Sequence, residues 1–416
     1  MLLRSRIVYP VATPPIDNGA VWIVDGRIRA IGSFPDLASH IAEPVVDLDD
    51  SILMPGLVNA HCHLDYTGFA GQIPPPLGFT HWVQQLITLK SQWSYTDFAE
   101  SWLLGMRQLA QGGVTTVGDI EAVPELLPEV LPGAPIRVVS FRELITIRSR
   151  ARGLEILDAA IDELEKTNRG PHRLGLSPHA PYTTSQELAR ESARRSREKG
   201  WKWTIHVGES SEEFEMFRHK RGAMHEWLRS QRDMSDCGVG TPFAWLADTG
   251  ELDASCLIVH ANCLEPGEIE RLAASGASVA HCPRSHGYFR HPRFSADAMK
   301  RAGVNVCLGT DSLASALAHR GGPPRLDMFS EMRAFMQAHP DFAPAEVLEM
   351  ATARGAKALG LELETGALRP GLSADLAVVP WSGALEDAAS ALTQHSGEVR
   401  AAMCFGRWTV GPEIQR

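Results

Sequence analysis

Eight short apolar runs, each long enough for a β-strand, alternate through the middle of the chain with longer stretches of helical periodicity. The runs lie at 57–61, 114–119, 136–141, 173–177, 202–207, 257–260, 278–281 and 305–309. Apolar residues recur at helical spacing over 98–111, 154–165, 185–199, 267–274, 295–301, 328–338 and 345–359. A strand that reads as one apolar run is buried on both faces, as in a parallel sheet covered by helices. Strand and helix in alternation predict an α/β fold, and eight repeats predict a (β/α)8 TIM barrel.

The two ends of the chain have a different texture. Ala20-Val-Trp-Ile-Val24 and Arg27-Ile-Arg-Ala-Ile31 flank Asp25-Gly26, a strong two-residue hairpin signal. Short β-like runs return at 375–379 and 399–404, with a turn at Gly406-Arg407. The ends are therefore expected to meet as one small β-sandwich, interrupted by the barrel. Pro55-Gly56 and the Gly- and Pro-rich stretch at 361–371 mark the boundaries. This places the composite domain at 1–54 and 363–416 and the catalytic barrel at 55–362. Pro74-Pro75-Pro76 reads as a rigid loop after the first strand.

Composition narrows the function classes. Apolar content of 44% and charged content of 22% are ordinary for a globular enzyme, and the net charge of −10 excludes a nucleic-acid footprint. The one basic run, 190–202, reads as a solvated helix face. The seven cysteines are scattered without a C-x-x-C pair, which points to thiols in a reducing compartment, hence the cytoplasm. No apolar stretch approaches the ~20 residues of a membrane span, and the start MLLRSRIVYP lacks the apolar centre of a leader.

In a (β/α)8 barrel the chemistry sits at the C-terminal ends of the strands, and polar residues gather there. His61 and His63 end the first run, in His61-Cys62-His63. Two residues apart on a strand they share a face, while Cys62 turns toward the barrel wall. His206 ends the fifth run, His260 the sixth, His281 the seventh, and Asp311 follows the eighth. A lone H-x-H is weak; five strand ends supplying imidazole or carboxylate are not. Such ligands suit one divalent ion, zinc or iron, with a position left for water. Binding lowers the pKa of that water, and carboxylates are needed to move its proton. Asp311 can accept it, and Glu209, three residues after His206, can pass it to a substrate ring nitrogen. An ordinary alternative for Glu209 is a charge at a helix N-terminus.

His61-x-His63, His206-x-x-Glu209, His260, His281-Cys-Pro283 and Gly309-Thr-Asp311 resemble the ordered motifs of the amidohydrolase superfamily, over nearly the whole chain. They look most like its cytosine/guanine/adenosine-type deaminase and chlorohydrolase branch. The resemblance implies His61, His63, His206 and Asp311 as metal ligands and Glu209 as proton shuttle. It implies His281 as the residue that orients and polarises the attacking water, and His260 as a contact to substrate or water, or a ligand. Binuclear members use a carboxylated lysine on strand four. Here that run reads Arg173-Leu-Gly-Leu-Ser-Pro-His179, without lysine, so one metal is expected.

The implied reaction is hydrolytic deamination of an aminated purine or adenosine-like nucleoside, by a homodimer as is common in that family. His179-Ala-Pro-Tyr182 resembles a substrate-contacting loop of adenosine- and thiomethyladenosine-type deaminases. Phe79 and Trp82, in a loop after strand one, can stack on a flat heterocycle or serve as core. Arg148 and Arg150 can reach a carboxylate or ribose, or simply lie on the surface. Arg284-Ser285-His286-Gly-Tyr-Phe289 resembles the segment of 6-aminodeoxyfutalosine deaminases, which implies tail contacts from Arg284, His286 and the Tyr288/Phe289 pair and counts Ser285 with His286 among the substrate-binding residues; a loop-capping role is the alternative for His286. Other readings are a guanine-type deaminase or chlorohydrolase on this scaffold, and a metal-free binding protein. Ammonia against chloride release separates the first two, and metal content tests the third.

Overall fold

The computed structural model describes residues 1–75, 77–147, 152–167, 169–318 and 322–412. Five strands precede the barrel: β1 (Leu2–Val8), β2 (Ile16–Val24), β3 (Arg27–Ser33), β4 (Val45–Asp47) and β5 (Ser51–Pro55). The barrel strands are β6 (Leu57–Cys62), β7 (Val114–Glu121), β8 (Arg137–Leu144), β9 (Arg173–Pro178), β10 (Lys202–Val207), β11 (Cys256–His260), β12 (Ser278–His281) and β13 (Asn305–Leu308). After it come β14 (Leu376–Pro380), β15 (Ala401–Cys404) and β16 (Arg407–Val410).

Strands β6 to β13 pair in sequence order, every pair parallel. The ring closes where Cys62 bridges Asp311 and the Thr310 and Asp311 amides donate to His61 O at 3.0 and 3.1 Å. Gly309 permits that closure, because a Cβ there would stand 2.7 Å from His61 O. Inward residues of the barrel form their own cluster: Val58 and Ala60 from β6, Val139 and Phe141 from β8, Leu257 and Val259 from β11, Ala280 from β12 and Cys307 from β13, with Ala356 and Leu359. Outward residues such as Ile205, Ile258, Val279 and Val306 pack with the surrounding helices.

The two ends of the chain meet on one hydrogen-bonded path, β16-β15-β14-β5-β1-β2-β3, with β4 added on β1. The path curls so that Leu3, Val21 and Ile28 share a core with Leu376, Val378 and Met403. The β2–β3 hairpin turns at Asp25-Gly26, both with positive φ (51° and 73°). Arg137, at the start of β8, ties this sheet to the barrel through a buried ion pair to Asp375, Nη2 to Oδ2 at 2.9 Å.

Two expectations about helices are corrected. The continuous helix expected over 345–359 is two, Pro344–Met350 and Ala353–Ala358. Between them Ala351 O accepts the Val58 N–H at 2.8 Å, so the helix gives up its own ladder to anchor the start of β6. The loop expected around Phe79 and Trp82 is a helix, Phe79–Lys90. Among the described residues no helix is long and apolar enough to cross a membrane.

Candidate active site

Four of the expected side chains converge because of local backbone irregularities. In β10, Trp203, Ile205 and Val207 face outward, so simple alternation turns His206 inward. In β6 the pairing with β7 slips between Asn59 and Cys62. That slip, a bulge, reverses the parity: Ala60 belongs to the inner cluster and Cys62 to the outer one, and His61 and His63 face the mouth. Cys62 therefore points away, as expected. His260 would face outward by alternation with Val259, but its φ of 72° and that of Ala261 (49°) swing it toward the mouth. Asp311 is likewise left-handed, at φ 56°. Such backbone is costly for residues other than glycine and gathers where function requires it.

The result is one buried centre. His61 Nε2 and His63 Nε2 lie 3.5 and 3.7 Å from Asp311 Oδ1. His260 Nε2 lies 3.5 Å from Glu209 Oε1. Three ligand-spaced groups occur among the described residues, namely His61/His206/His260, His61/His63/Asp311 and Glu209/His260/Asp311. They share members, so they describe a single site. Both ring nitrogens of His61, Nδ1 of His63 and Nε2 of His260 are buried without hydrogen-bond partners. Buried polar atoms are almost always satisfied, and a divalent cation here would take one ring nitrogen of each imidazole, that of His61 and His63 being the Nε2 that faces Asp311.

The surroundings present the right atoms inward. His206 Nδ1 is 2.9 Å from His179 O, which it satisfies as donor, leaving Nε2 with its lone pair free. Ser285 and Ser315 hydroxyls donate to Asp311 Oδ2 at 2.7 and 3.2 Å, leaving Oδ1 toward the histidines. Burial works against the Asp311 carboxylate, but the His61, His260 and His63 imidazoles outweigh it and hold its pKa well below the usual range. Burial drives the pKa of His63 and His260 well below that of free imidazole and that of His206 to about 4, so all three are neutral ligands in waiting.

Glu209 is 6% exposed. Burial first, then the charges of Asp311 and Glu213, push its pKa well above the carboxylate range. Its peptide is clamped from both sides: its N–H donates to Glu213 Oε2 at 2.8 Å, and its carbonyl accepts from Asn262 Nδ2 at 2.9 Å. Sequence reasoning missed both clamps. Glu213 was findable, because Ser210-x-x-Glu213 is the S-x-x-E signature of a helix start, and Ser210 does cap the Ser211–His219 helix. Asn262 carries no comparable signal.

Beside the centre opens a cavity of about 320 Å³, lined by His63, His179, His206, Glu209, His260 and Asp311 at its closed end. Phe79, Trp82, Leu86 and Trp227 form its walls, and Ile87, Ile145 and Ile147 its outer part. His179 contributes Nε2, 4.0 Å from Glu143 Oε1, while its Nδ1 shares a 2.7 Å hydrogen bond with Thr183 Oγ1. Glu143, Tyr66 and Lys90 also face this space and were not anticipated. Arg148, Arg150 and Pro76 lie outside the described residues.

Three expected residues stand elsewhere. His281 follows Val279 on the outward face of β12, and its ring stacks on Phe294 at 3.9 Å and 6°. It belongs to none of the ligand-spaced groups and does not line the cavity. Ser285 holds Asp311 and is not among the cavity-lining residues. His286 Nδ1 meets Asn262 Oδ1 at 3.1 Å, two hydrogen bonds removed from the Glu209 carbonyl.

Residues 52–409 match the model of the Amidohydrolase family. The chain belongs to that family. It is 29% identical to a 5-methylthioadenosine/S-adenosylhomocysteine deaminase of Moorella thermoacetica, across 91% of this chain and 85% of that relative. It is 30% identical to a 5'-deoxyadenosine deaminase of Methanosarcina mazei, across 88% and 80%. In fold this amidohydrolase is similar to Helicobacter pylori aminofutalosine deaminase solved with methylthio-coformycin, with TM-score 0.86, 20% identity, and coverage of 98% of this chain and 100% of that one.

Proposed function

We propose that this amidohydrolase is a metal-dependent hydrolytic deaminase of an adenosine-like nucleoside. One divalent ion, zinc in preference to iron, is held by His61, His63, His206 and Asp311. The observation that carries the reading is the single cluster of unpartnered imidazoles and one carboxylate, set beside a buried carboxyl at the closed end of an aromatic-walled cavity. A divalent ion in this donor set supplies Lewis-acid activation of the attacking water.

The chain's own residues do the rest. Glu209, whose protonated form burial and then the charges of Asp311 and Glu213 favour, delivers a proton to the ring nitrogen next to the amine-bearing carbon. Asp311 stays ionised and accepts a proton from the water, its second oxygen tied by Ser285 and Ser315. His260, 3.5 Å from the Glu209 carboxyl and at ligand spacing from His61 and His206, orients the water or the substrate. Water adds, ammonia leaves, and the ring carbon keeps the oxygen. Phe79 and Trp82 offer a flat wall to the purine. His281 has no contact with the reacting atoms in this reading, and its role becomes packing against Phe294.

A 5'-modified adenosine, 6-aminodeoxyfutalosine among them, is the favoured substrate class, because the named relatives act on such nucleosides. The test is ammonia release by the zinc-loaded protein from adenosine, 5'-deoxyadenosine, 5-methylthioadenosine, S-adenosylhomocysteine, aminodeoxyfutalosine and guanine. Release from guanine alone, or chloride release from a chlorotriazine without ammonia from any nucleoside, overturns the proposal.

A further inference from the structure

The Phe79–Lys90 helix makes one wall of the cavity, and it is held in an uncommon way. Phe79, Trp82, Val83, Leu86, Ile87 and Lys90 recur at helical spacing and all face the cavity. The apolar stripe that a surface helix normally buries against a core therefore borders the space meant for substrate. Ile87 is left 52% exposed. Phe79 and Trp82 join the main core and meet Phe289, but the rest of the stripe borders the cavity, so where the helix's ends are held helps set the position of this wall.

Its cap position is Gly78, which has no side chain to offer. The cap comes from Glu212. Its Oε1 accepts the Phe79 N–H at 2.8 Å, and its Oε2 accepts the Thr80 N–H at 2.9 Å and the Thr80 hydroxyl. Two of the helix's unsatisfied amides, at the positive end of its dipole, thus meet the two oxygens of one carboxyl group. Glu212 lies three residues beyond Glu209, on the Ser211–His219 helix. A Cβ on Gly78 would overlap Glu212 Oε1, so the glycine keeps the carboxylate's place clear. Trp82 Nε1 donates to Ala314 O at 3.1 Å, and the Tyr288 hydroxyl donates to Pro74 O at 3.0 Å. Those ties hold Trp82, at the end of the first turn, and the approach to the helix; the two amides that begin it rest on Glu212.

We propose that Glu212 is a positioning residue that sets this wall against the segment carrying Glu209, and so sets affinity for the substrate's flat base. The inference rests on the cavity being the nucleoside site. Without the carboxylate, the start of the helix ahead of Trp82 frays, and substrate binding has to order the wall. KM then rises while kcat, governed by the metal centre and Glu209, changes little.

The experiment compares zinc-loaded wild type, Glu212→Ala, Gly78→Ala and the double variant, by steady-state deamination and by amide hydrogen exchange over residues 79–90. Each single substitution is expected to raise KM about 10- to 100-fold with kcat within about threefold, the size of one or two lost charge-assisted hydrogen bonds. The double variant should be no worse than Glu212→Ala, because the alanine at 78 then meets no carboxylate. Glu212→Gln, which keeps one acceptor, should fall between. An unchanged KM, a fall confined to kcat, or additive single effects overturns the proposal. Exchange is read whether or not any nucleoside is turned over. Faster exchange in Glu212→Ala confined to 79–90 supports the clamp, and unchanged exchange there overturns it even if the deaminase reading has failed on its own assay.

Discussion

Glu209→Gln separates chemistry from architecture, because the structure holds residue 209 by its backbone. The Glu213 carboxylate and the Asn262 amide bind the Glu209 N–H and carbonyl, and neither touches its side chain. Glutamine has nearly the same shape and fits the same place beside His260 Nε2, which is 3.5 Å from the present carboxyl oxygen. What is lost is the transferable proton. Removing a positioned general acid–base typically costs 10²–10⁴ in rate, about 3–5 kcal/mol of barrier. We expect kcat to fall about 10³-fold, KM to stay within about threefold, zinc content to stay at wild type, and thermal stability to hold or rise as a buried ionisable group disappears. Ammonia release, elemental analysis and thermal unfolding on one preparation give all four. A fully metallated variant within tenfold of wild-type kcat refutes the shuttle assignment. A variant that loses zinc refutes it differently, making Glu209 a ligand with His260 and Asp311, the third of the ligand-spaced groups.

Ser285→Ala removes the 2.7 Å donor to Asp311 Oδ2 and leaves only Ser315 at 3.2 Å; zinc affinity in chelator competition should drop about 10-fold or more, and unchanged affinity contradicts the orienting role. Asp375→Ala removes the buried partner of Arg137, 3% exposed, and leaves it Glu364 at 3.1 Å, so denaturant titration should show a loss of about 1.5–3 kcal/mol, the size of a lost charged hydrogen bond rather than of an unpaired buried charge, and a loss under about 1 kcal/mol contradicts the buried tie. Burial pushes His172 down to about 4, and its Nδ1 accepts the Val138 N–H at 3.1 Å. The unfolded chain, with histidine near 6.5, then binds one more proton between those values, so stability is lost as pH falls from about 6.5 toward 4, at up to about 1.4 kcal/mol per pH unit from this residue. His172→Gln should flatten the pH slope of unfolding by that amount, and an unaltered slope contradicts the buried neutral imidazole.

The barrel was legible because doubly buried strands must be apolar throughout, and all eight begin and end within three residues of the runs read from the chain. The meeting of the two ends was legible for a similar reason, since short β runs at both termini need partners. What escaped were elements whose apolar residues face the cavity. The Phe79–Lys90 helix carries its stripe toward the cavity, follows three prolines and starts on Gly78. It therefore looked like a loop that happened to contain aromatics. Its cap sits on residue 212, which no local pattern can reveal.

The site itself was read by one rule, that strand ends in a barrel carry the chemistry, and the structure shows where that rule is too coarse. Strand ends point two ways. His206 reaches the centre by plain alternation after Trp203 and Ile205. His61 and His63 reach it because the β6–β7 pairing slips and reverses the parity. His260 reaches it because its backbone turns left-handed just where alternation would have sent it outward. His281 has the same apolar approach as these and no such irregularity: Ala280 is inside, so His281 is outside, against Phe294. Counting parity along β12 was possible from the sequence and would have separated His281 from the rest. The same counting would have removed His260 wrongly, since a positive φ at a histidine leaves no trace in composition or periodicity. Strain of that kind is retained where many contacts oppose its relaxation. Here the Ala261 amide donates to Val207 O at 3.0 Å and the Asn262 amide to Gly208 O at 3.0 Å. The bent segment after β11 is thus stitched to the one that leads into Glu209, and the histidine and the carboxyl it faces are placed by the same few hydrogen bonds.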